Sequence, residues 1–122
     1  AISSYKKAIS IDSNYAEANY NMGFALSSTN KPEEAIVAYN NAISMKPNYS
    51  EAYCNLGNAY KELGQLEDAL KSYKKAISYN SDYTESHNNI GVIFFEMGKL
   101  NEAVKSYKEA LGINPEYAEA VR

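Results

Sequence analysis

The chain has 122 residues, of which 45% are hydrophobic, and its formal net charge of −3 at pH 7 lacks the basic excess typical of nucleic-acid-binding domains. This length is enough for one continuous core, and no apolar run approaches the roughly 20 residues that a membrane-spanning helix needs. The only cysteine, Cys54, excludes an internal disulfide and fits a cytoplasmic setting better than a secreted one.

The sequence repeats itself with a period of 34 residues, and segments 16–49, 50–83 and 84–117 align without a gap. Residues 1–15 match the second half of such a unit, and 118–122 match the start of another. A fixed period of this length is typical of repeat architectures. We therefore interpret residues 1–122 as a single array fragment: the second helix of a preceding repeat, three repeats and the start of a following one. The places that keep one residue type in all three units are those of Glu51, Asn55, Gly57, Ala69, Tyr73, Ala76 and Tyr83.

Each unit reads as two helices separated by a short break, because apolar residues recur at helical spacing on both sides of it. Gly64 and Gly98 occupy the break in the second and third units, and Asn30 does so in the first. These residue types tolerate the left-handed conformation that ends a helix. Pro32 suits the first turn of the next helix, where its missing N–H is harmless. The predicted helices cover residues 1–12, 15–28, 33–46, 49–62, 67–80, 83–96 and 101–114, and another begins at 117.

A glycine recurs inside the first helix of each unit, as Gly23, Gly57 and Gly91. Glycine inside a helix costs about 0.5–1 kcal/mol relative to alanine, so its repeated presence needs a reason. We expect the two helices of a unit to approach closely at this point, with the periodic tyrosine, Tyr73 in the second unit, packed alongside.

The units resemble the tetratricopeptide repeat family over nearly the whole chain. The resemblance implies an all-α fold, a right-handed superhelical solenoid of antiparallel helix pairs whose first helices line a concave groove. It also implies a role in holding peptides or partner proteins. The chain departs from the family pattern at its first aromatic place, where the first unit has Asn19 and the third unit has His87. The signature residues in the second unit are Tyr53, Leu56, Gly57, Tyr60, Gly64, Ala69, Tyr73 and Ala76.

The concave groove is the predicted binding site, and a row of asparagines marks it. Asparagine is a mediocre helix former, yet Asn21, Asn55 and Asn89 recur on a face separate from the predicted core. An amide offers a donor and an acceptor together, so this asparagine ladder could bind the backbone of an extended peptide, one rung to about every third ligand residue. The ladder is similar to that in the repeat arm of O-linked N-acetylglucosamine transferases. The predicted groove residues are Asn21, Asn55, Asn89, Asn58, Tyr20, Phe24, Asn88, Glu51 and Glu85.

Two alternatives concern this same face. The asparagines could instead bond the helix of the neighbouring unit and stiffen the spiral. A second binding mode, in which lysines and an arginine clamp an acidic C-terminus, is disfavoured because glutamates dominate this face and Lys61 is its nearest positive charge.

The sequence contains no catalytic constellation, and we expect no enzymatic activity, metal or cofactor. His87 is the only histidine and occupies a packing place, and Cys54 has no base on its helix face. We expect a scaffold that binds a peptide or protein partner, with no nucleic-acid or membrane partner. One alternative is the substrate-recognition arm of a larger enzyme such as a glycosyltransferase. Another is a module that self-associates end to end, because apolar residues such as Ile2, Ile9 and Val121 lie at the two ends.

Overall fold

Residues 16–114 are described by the computed structural model of the chain. They form six helices, each within one residue of its predicted bounds. The predicted helix over residues 1–12 and the one that begins at 117 lie outside the described residues. The helices are α1 Ala16–Ser28, α2 Pro32–Met45, α3 Ser50–Glu62, α4 Leu66–Tyr79, α5 Thr84–Glu96 and α6 Leu100–Ile113.

The helices pack in the order in which they occur along the chain. The most extensive contacts are within the pairs α1 with α2, α3 with α4 and α5 with α6, which we call repeats 1, 2 and 3. Smaller contacts join α2 to α3 and α4 to α5. Packing between sequence neighbours is the defining property of a solenoid, so the predicted all-α helical repeat architecture is confirmed. None of the described helices combines the length and apolarity needed to cross a membrane.

The turn inside each repeat has the geometry predicted from its glycine or asparagine. Gly64 and Gly98 have φ angles of +75° and +79°, and Asn30 has +62°. After α3, the Gln65 N–H donates to the Tyr60 carbonyl at 2.9 Å and the Gly64 N–H to the Lys61 carbonyl at 3.0 Å. This pair of bonds is a Schellman motif, which satisfies carbonyls left open at the helix end. The short turn places the two helices of a repeat side by side.

The recurrent helical glycine lies directly against the recurrent tyrosine, as the sequence predicts. A Cβ atom added to Gly57 would lie 2.6 Å from Cε1 of Tyr73, and one added to Gly23 would lie equally close to Tyr39. Real Cβ atoms do not approach so near, so only glycine fits while the ring keeps its place. Tyr73 is fully buried and belongs to a core that α3, α4 and α5 share. This cluster joins repeat 2 to repeat 3, and a second cluster that contains Tyr39 and Leu56 joins repeat 1 to repeat 2.

Candidate peptide-binding groove

The predicted ladder lies at the surface of the first helices α1, α3 and α5. Asn21, Asn55 and Asn89 are each half-buried, which leaves part of every side chain accessible. Phe24, on the same face of α1, is 56% exposed. The local reason is the helical period, because residues three or four apart share a face and the core residues of each helix lie on another.

A chain of side-chain hydrogen bonds runs along this face from repeat 1 to repeat 3. Asn55 donates its Nδ2 to the hydroxyl of Tyr20 at 2.8 Å, across the boundary between repeats 1 and 2. Asn89 donates its Nδ2 to Oδ1 of Asn58 at 3.3 Å, across the next boundary. Within α3, Asn58 donates to Oδ1 of Asn55 at 3.3 Å. We call these four residues, together with Tyr73, the polar network.

Tyr73, on α4, completes the polar network. Its hydroxyl donates to Oδ1 of Asn58 at 2.5 Å, so that one oxygen accepts from both Tyr73 and Asn89. The sequence predicts Tyr73 only as a core residue, and this bond is an addition to that role. The residue type alone could have indicated this bond, because a buried tyrosine hydroxyl almost always has a hydrogen-bond partner. Asn55 and Asn89 therefore bond the neighbouring repeat, as the stiffening alternative requires.

The three asparagines of the ladder differ in the hydrogen-bonding groups that they leave unused. Asn21 makes no side-chain hydrogen bond to any residue in the described range, so no residue of 16–114 uses either end of its amide. Asn89 uses Nδ2, and its Oδ1 makes no hydrogen bond within 16–114. Asn55 engages both its Nδ2 and its Oδ1, which leaves one N–H and one lone pair of the oxygen. Asn21 and Asn89 thus retain the greater hydrogen-bonding capacity.

The groove is acidic. Glu51 and Glu85 are exposed, and the one ion pair found among residues 16–114 involves neither of them. Burial raises the pKa of the Tyr20 phenol, and the charge of Glu51 raises it further. Burial also raises the pKa of Tyr73, with a smaller contribution from Glu85. The exposed carboxylates of repeats 2 and 3 therefore oppose binding of an acidic C-terminus.

Asn88, which the sequence assigns to the groove, is a buried residue of α5. It is 8% exposed and lines a pocket of about 360 Å³ beside α5. The other lining residues are Val92, Phe95 and Tyr107. Val92 holds the place that Phe24 and Asn58 occupy in the other repeats, and Phe95 and Tyr107 come from places outside the predicted groove.

The two side chains capable of other chemistry are both packed inside the array. His87 is buried, with Nε2 2.9 Å from the Ser81 carbonyl oxygen and Nδ1 3.2 Å from Oε2 of Glu109. Burial raises the pKa of the Cys54 thiol to about 11, which keeps it protonated at neutral pH. Over the described part of the chain, no group of three potential metal ligands comes together.

Comparison with family profiles matches the described helices to two profiles of one family. The profile described as TPR repeat covers residues 1–30, 28–64 and 57–98, and the one described as Tetratricopeptide repeat covers 84–117. The chain belongs to the tetratricopeptide repeat family. No curated protein matches it in sequence.

Several solved structures are similar to this chain, among them three of MamA. One MamA crystal structure is 25% identical with a TM-score of 0.93, covering 98% of this chain and 70% of its own. A second is 33% identical with a TM-score of 0.88, covering 97% of this chain and 64% of its own. A MamA RS-1 ArsTM double mutant is 19% identical, with a TM-score of 0.87 and coverages of 94% and 65%, and shows the fold alone. The chain thus spans between 64% and 70% of these proteins. Family membership and this likeness support a protein–protein interaction scaffold.

Proposed function

We propose that this array is a non-enzymatic scaffold that binds an extended peptide, or an extended segment of a partner protein, in the groove along α1, α3 and α5. The observation that carries the proposal is the row of half-buried asparagine amides at one place of each repeat. Asn21 and Asn89 keep hydrogen-bonding groups unused by the polar network. An amide can pair with both groups of a peptide unit without reading the ligand's side chains.

The polar network supports this role by holding the rungs in position. Asn55 is fixed through Tyr20, and Asn89 through Asn58, so little side-chain freedom remains to be lost when a ligand binds. Each amide bond to the ligand contributes about 0.5–1.5 kcal/mol net, whereas association costs an estimated 4–15 kcal/mol. We therefore expect micromolar or weaker affinity for a peptide that spans only these repeats.

A binding titration tests the proposal. A library of fluorescently labelled nine-residue peptides is screened by anisotropy against the 122-residue chain, and the strongest binder is then titrated against variants. Asn21→Ala combined with Asn89→Ala should weaken that peptide by at least about tenfold, because several backbone bonds are removed. Asn40→Ala, an asparagine exposed on the second helix of repeat 1, is the matched control and should bind normally. Equal affinity of all three proteins would refute the groove proposal.

End-to-end self-association is a second candidate, favoured by the outer face of α6. Leu100 and Val104 are 57% and 50% exposed. Their equivalents in repeat 2, Leu66 and Leu70, pack against the core shared with α5. The apolar surface that is covered in repeat 2 is thus exposed in repeat 3, the last repeat that the structure describes. Exposed apolar patches of this kind are typical of interaction surfaces. Ile2, Ile9 and Val121, the other residues of this hypothesis, lie outside the described residues.

A further inference from the structure

The pocket beside α5 differs from the same region of repeat 2. The places of Asn88, Val92, Phe95 and Tyr107 are held in repeat 2 by Cys54, Asn58, Lys61 and Tyr73. There the Tyr73 hydroxyl donates to Asn58, and Asn89 donates to the same oxygen. At this point the polar groups of repeat 2 are therefore paired, in part with a residue of repeat 3.

Repeat 3 leaves two polar groups on the pocket wall without such partners. Val92 replaces the asparagine of repeat 2 and has no acceptor for the Tyr107 hydroxyl. Neither that hydroxyl nor the Asn88 amide makes a hydrogen bond to any residue in the described ranges. Asn88 is more than nine-tenths buried, at 8% exposure, and its side chain lines the pocket. The Asn88 amide thus brings to the pocket wall donor and acceptor groups that no described residue uses, and a ligand group with hydrogen-bonding capacity can pair with them.

The remaining walls are apolar and aromatic, and a carboxylate lies nearby. Phe95 is 61% exposed, and the Tyr107 ring, which packs against α5 at Gly91, also lines the pocket. Burial raises the pKa of Tyr107 and the Glu96 carboxylate raises it further, so the negative charge of Glu96 reaches this ring. Aromatic faces, acceptor oxygens and a carboxylate together suit a planar cation with an apolar stem.

We propose that this pocket binds the guanidinium group of an arginine in a basic, extended peptide; the inference rests on the proposed groove function. The arginine stem packs on Val92, and its guanidinium stacks on Phe95 and donates to Oδ1 of Asn88 and to the Tyr107 hydroxyl. The acidic groove supplies charge complementarity for further basic residues, since Glu51 and Glu85 form no ion pair with any described residue.

Small probes test the pocket separately from the groove. The side-chain amide signals of Asn88 are followed by NMR in the 122-residue chain during titration with Nα-acetylarginine amide or with Nα-acetylcitrulline amide, its neutral isostere. We expect the arginine probe to shift these signals and the citrulline probe to bind at least about tenfold more weakly, because the cation–π and charge-assisted contacts are lost.

Variants that introduce the residue types found at the same places of repeat 2 test the pocket, and we expect them to keep the fold. Val92→Asn supplies the acceptor that Asn58 provides to Tyr73, and Phe95→Lys introduces the residue type of Lys61. Each should abolish the arginine preference while the melting temperature stays near that of the parent. Val37→Asn makes the same kind of exchange at an exposed place on α2, outside the groove, and should leave the response to the arginine probe unchanged.

The outcomes separate the pocket from the groove. Equal responses to the arginine and citrulline probes, or a retained arginine preference in Val92→Asn and Phe95→Lys, would overturn the pocket assignment and leave this surface as a seat for another helix. The pocket assignment would then be wrong even if neutral extended peptides bound the asparagine ladder. An arginine response that disappears in both variants, with no peptide bound by any protein, would support the pocket and count against the groove function instead.

Discussion

The side chain of Asn55 donates to the hydroxyl of Tyr20 in the preceding repeat at 2.8 Å. Tyr20 is itself fixed by stacking on Tyr49, with ring centroids 5.0 Å apart. In a solenoid, stability depends on each interface between neighbouring repeats, so this bond joins two units that otherwise meet through apolar contacts. The recurrent asparagine therefore has a structural role at the same place that the groove proposal uses for binding.

This dual role predicts different consequences for two equivalent asparagines. Asn55→Ala should lower the free energy of unfolding by about 0.5–1.5 kcal/mol, because its hydrogen bonds to Tyr20 and Asn58 are lost. Asn21→Ala should be neutral or slightly stabilising, since no described partner is lost and alanine is the better helix former. Urea denaturation of both variants measures the difference. Equal destabilisation would show that the bonds of Asn55 contribute nothing to repeat coupling.

The close approach of Gly57 and Tyr73 predicts that a single methyl group is harmful. Gly57→Ala places a Cβ 2.6 Å from the buried ring and should destabilise the fold by about 1–3 kcal/mol, despite the helical preference for alanine. Gly112→Ala is the matched control, because that glycine is also helical and nothing lies within 4 Å of an added Cβ. It should gain about 0.5–1 kcal/mol. Calorimetric melting of both proteins checks the prediction, and a stabilised Gly57→Ala would contradict it.

The loss of stability on truncating the recurrent tyrosine should depend on the repeat that contains it. Tyr73→Ala removes a fully buried ring and should cost about 3–5 kcal/mol, a large share of the stability of so short an array. Tyr107→Ala should cost clearly less, because the same place in repeat 3 is half-buried and borders the pocket. Thermal melting followed by circular dichroism compares the two. A smaller loss at Tyr73 than at Tyr107 would show that the core is wrongly assigned.

The Cys54 thiol predicts a response to alkaline pH. Burial raises its pKa to about 11, above the unfolded value of about 8.5, so folding favours the protonated thiol. The resulting stabilisation is fully present below about pH 8.5 and is lost as the pH rises through about 11. We expect the urea midpoint to fall across that window. The fall should be smaller in Cys54→Ala, although ionising tyrosines such as Tyr39 act in the same direction.

The same burial should protect the Cys54 thiol from reagents. In the native protein at pH 8, Ellman's reagent should react at the rate of local or global opening, and in urea it should react at once. Rapid native labelling would contradict the buried position of this side chain.

The exposed apolar face of α6 predicts end-to-end association, and one charge introduced there should weaken it. Val104→Lys should lower the apparent mass measured by sedimentation at high protein concentration, because it places a charge in the apolar surface. Val37→Lys is the control, since Val37 is 61% exposed, more than Val104, and its place is held by Lys71 and Lys105 in the other repeats. A concentration-independent monomer mass for the parent chain would refute end-to-end association.

Local physics made much of the fold predictable from the sequence. Each helix lies within one residue of its predicted bounds, because Gly64 and Gly98 end helices through a backbone conformation that does not depend on distant contacts. The approach of Gly57 to Tyr73 was also predictable, since a glycine inside a helix requires a steric reason.

The tertiary structure decided how the polar side chains of the groove are used. The sequence places Asn21, Asn55 and Asn89 on one face and predicts the same role for all three. Only the packing of one repeat against the next brings Asn55 to Tyr20 and leaves Asn21 without a described partner. The pocket at Asn88 likewise depends on a contact between helices, where Val92 replaces an asparagine. Hydrogen-bond partners are selected by distances of a few tenths of an ångström between separate helices, and helical periodicity alone does not specify those distances.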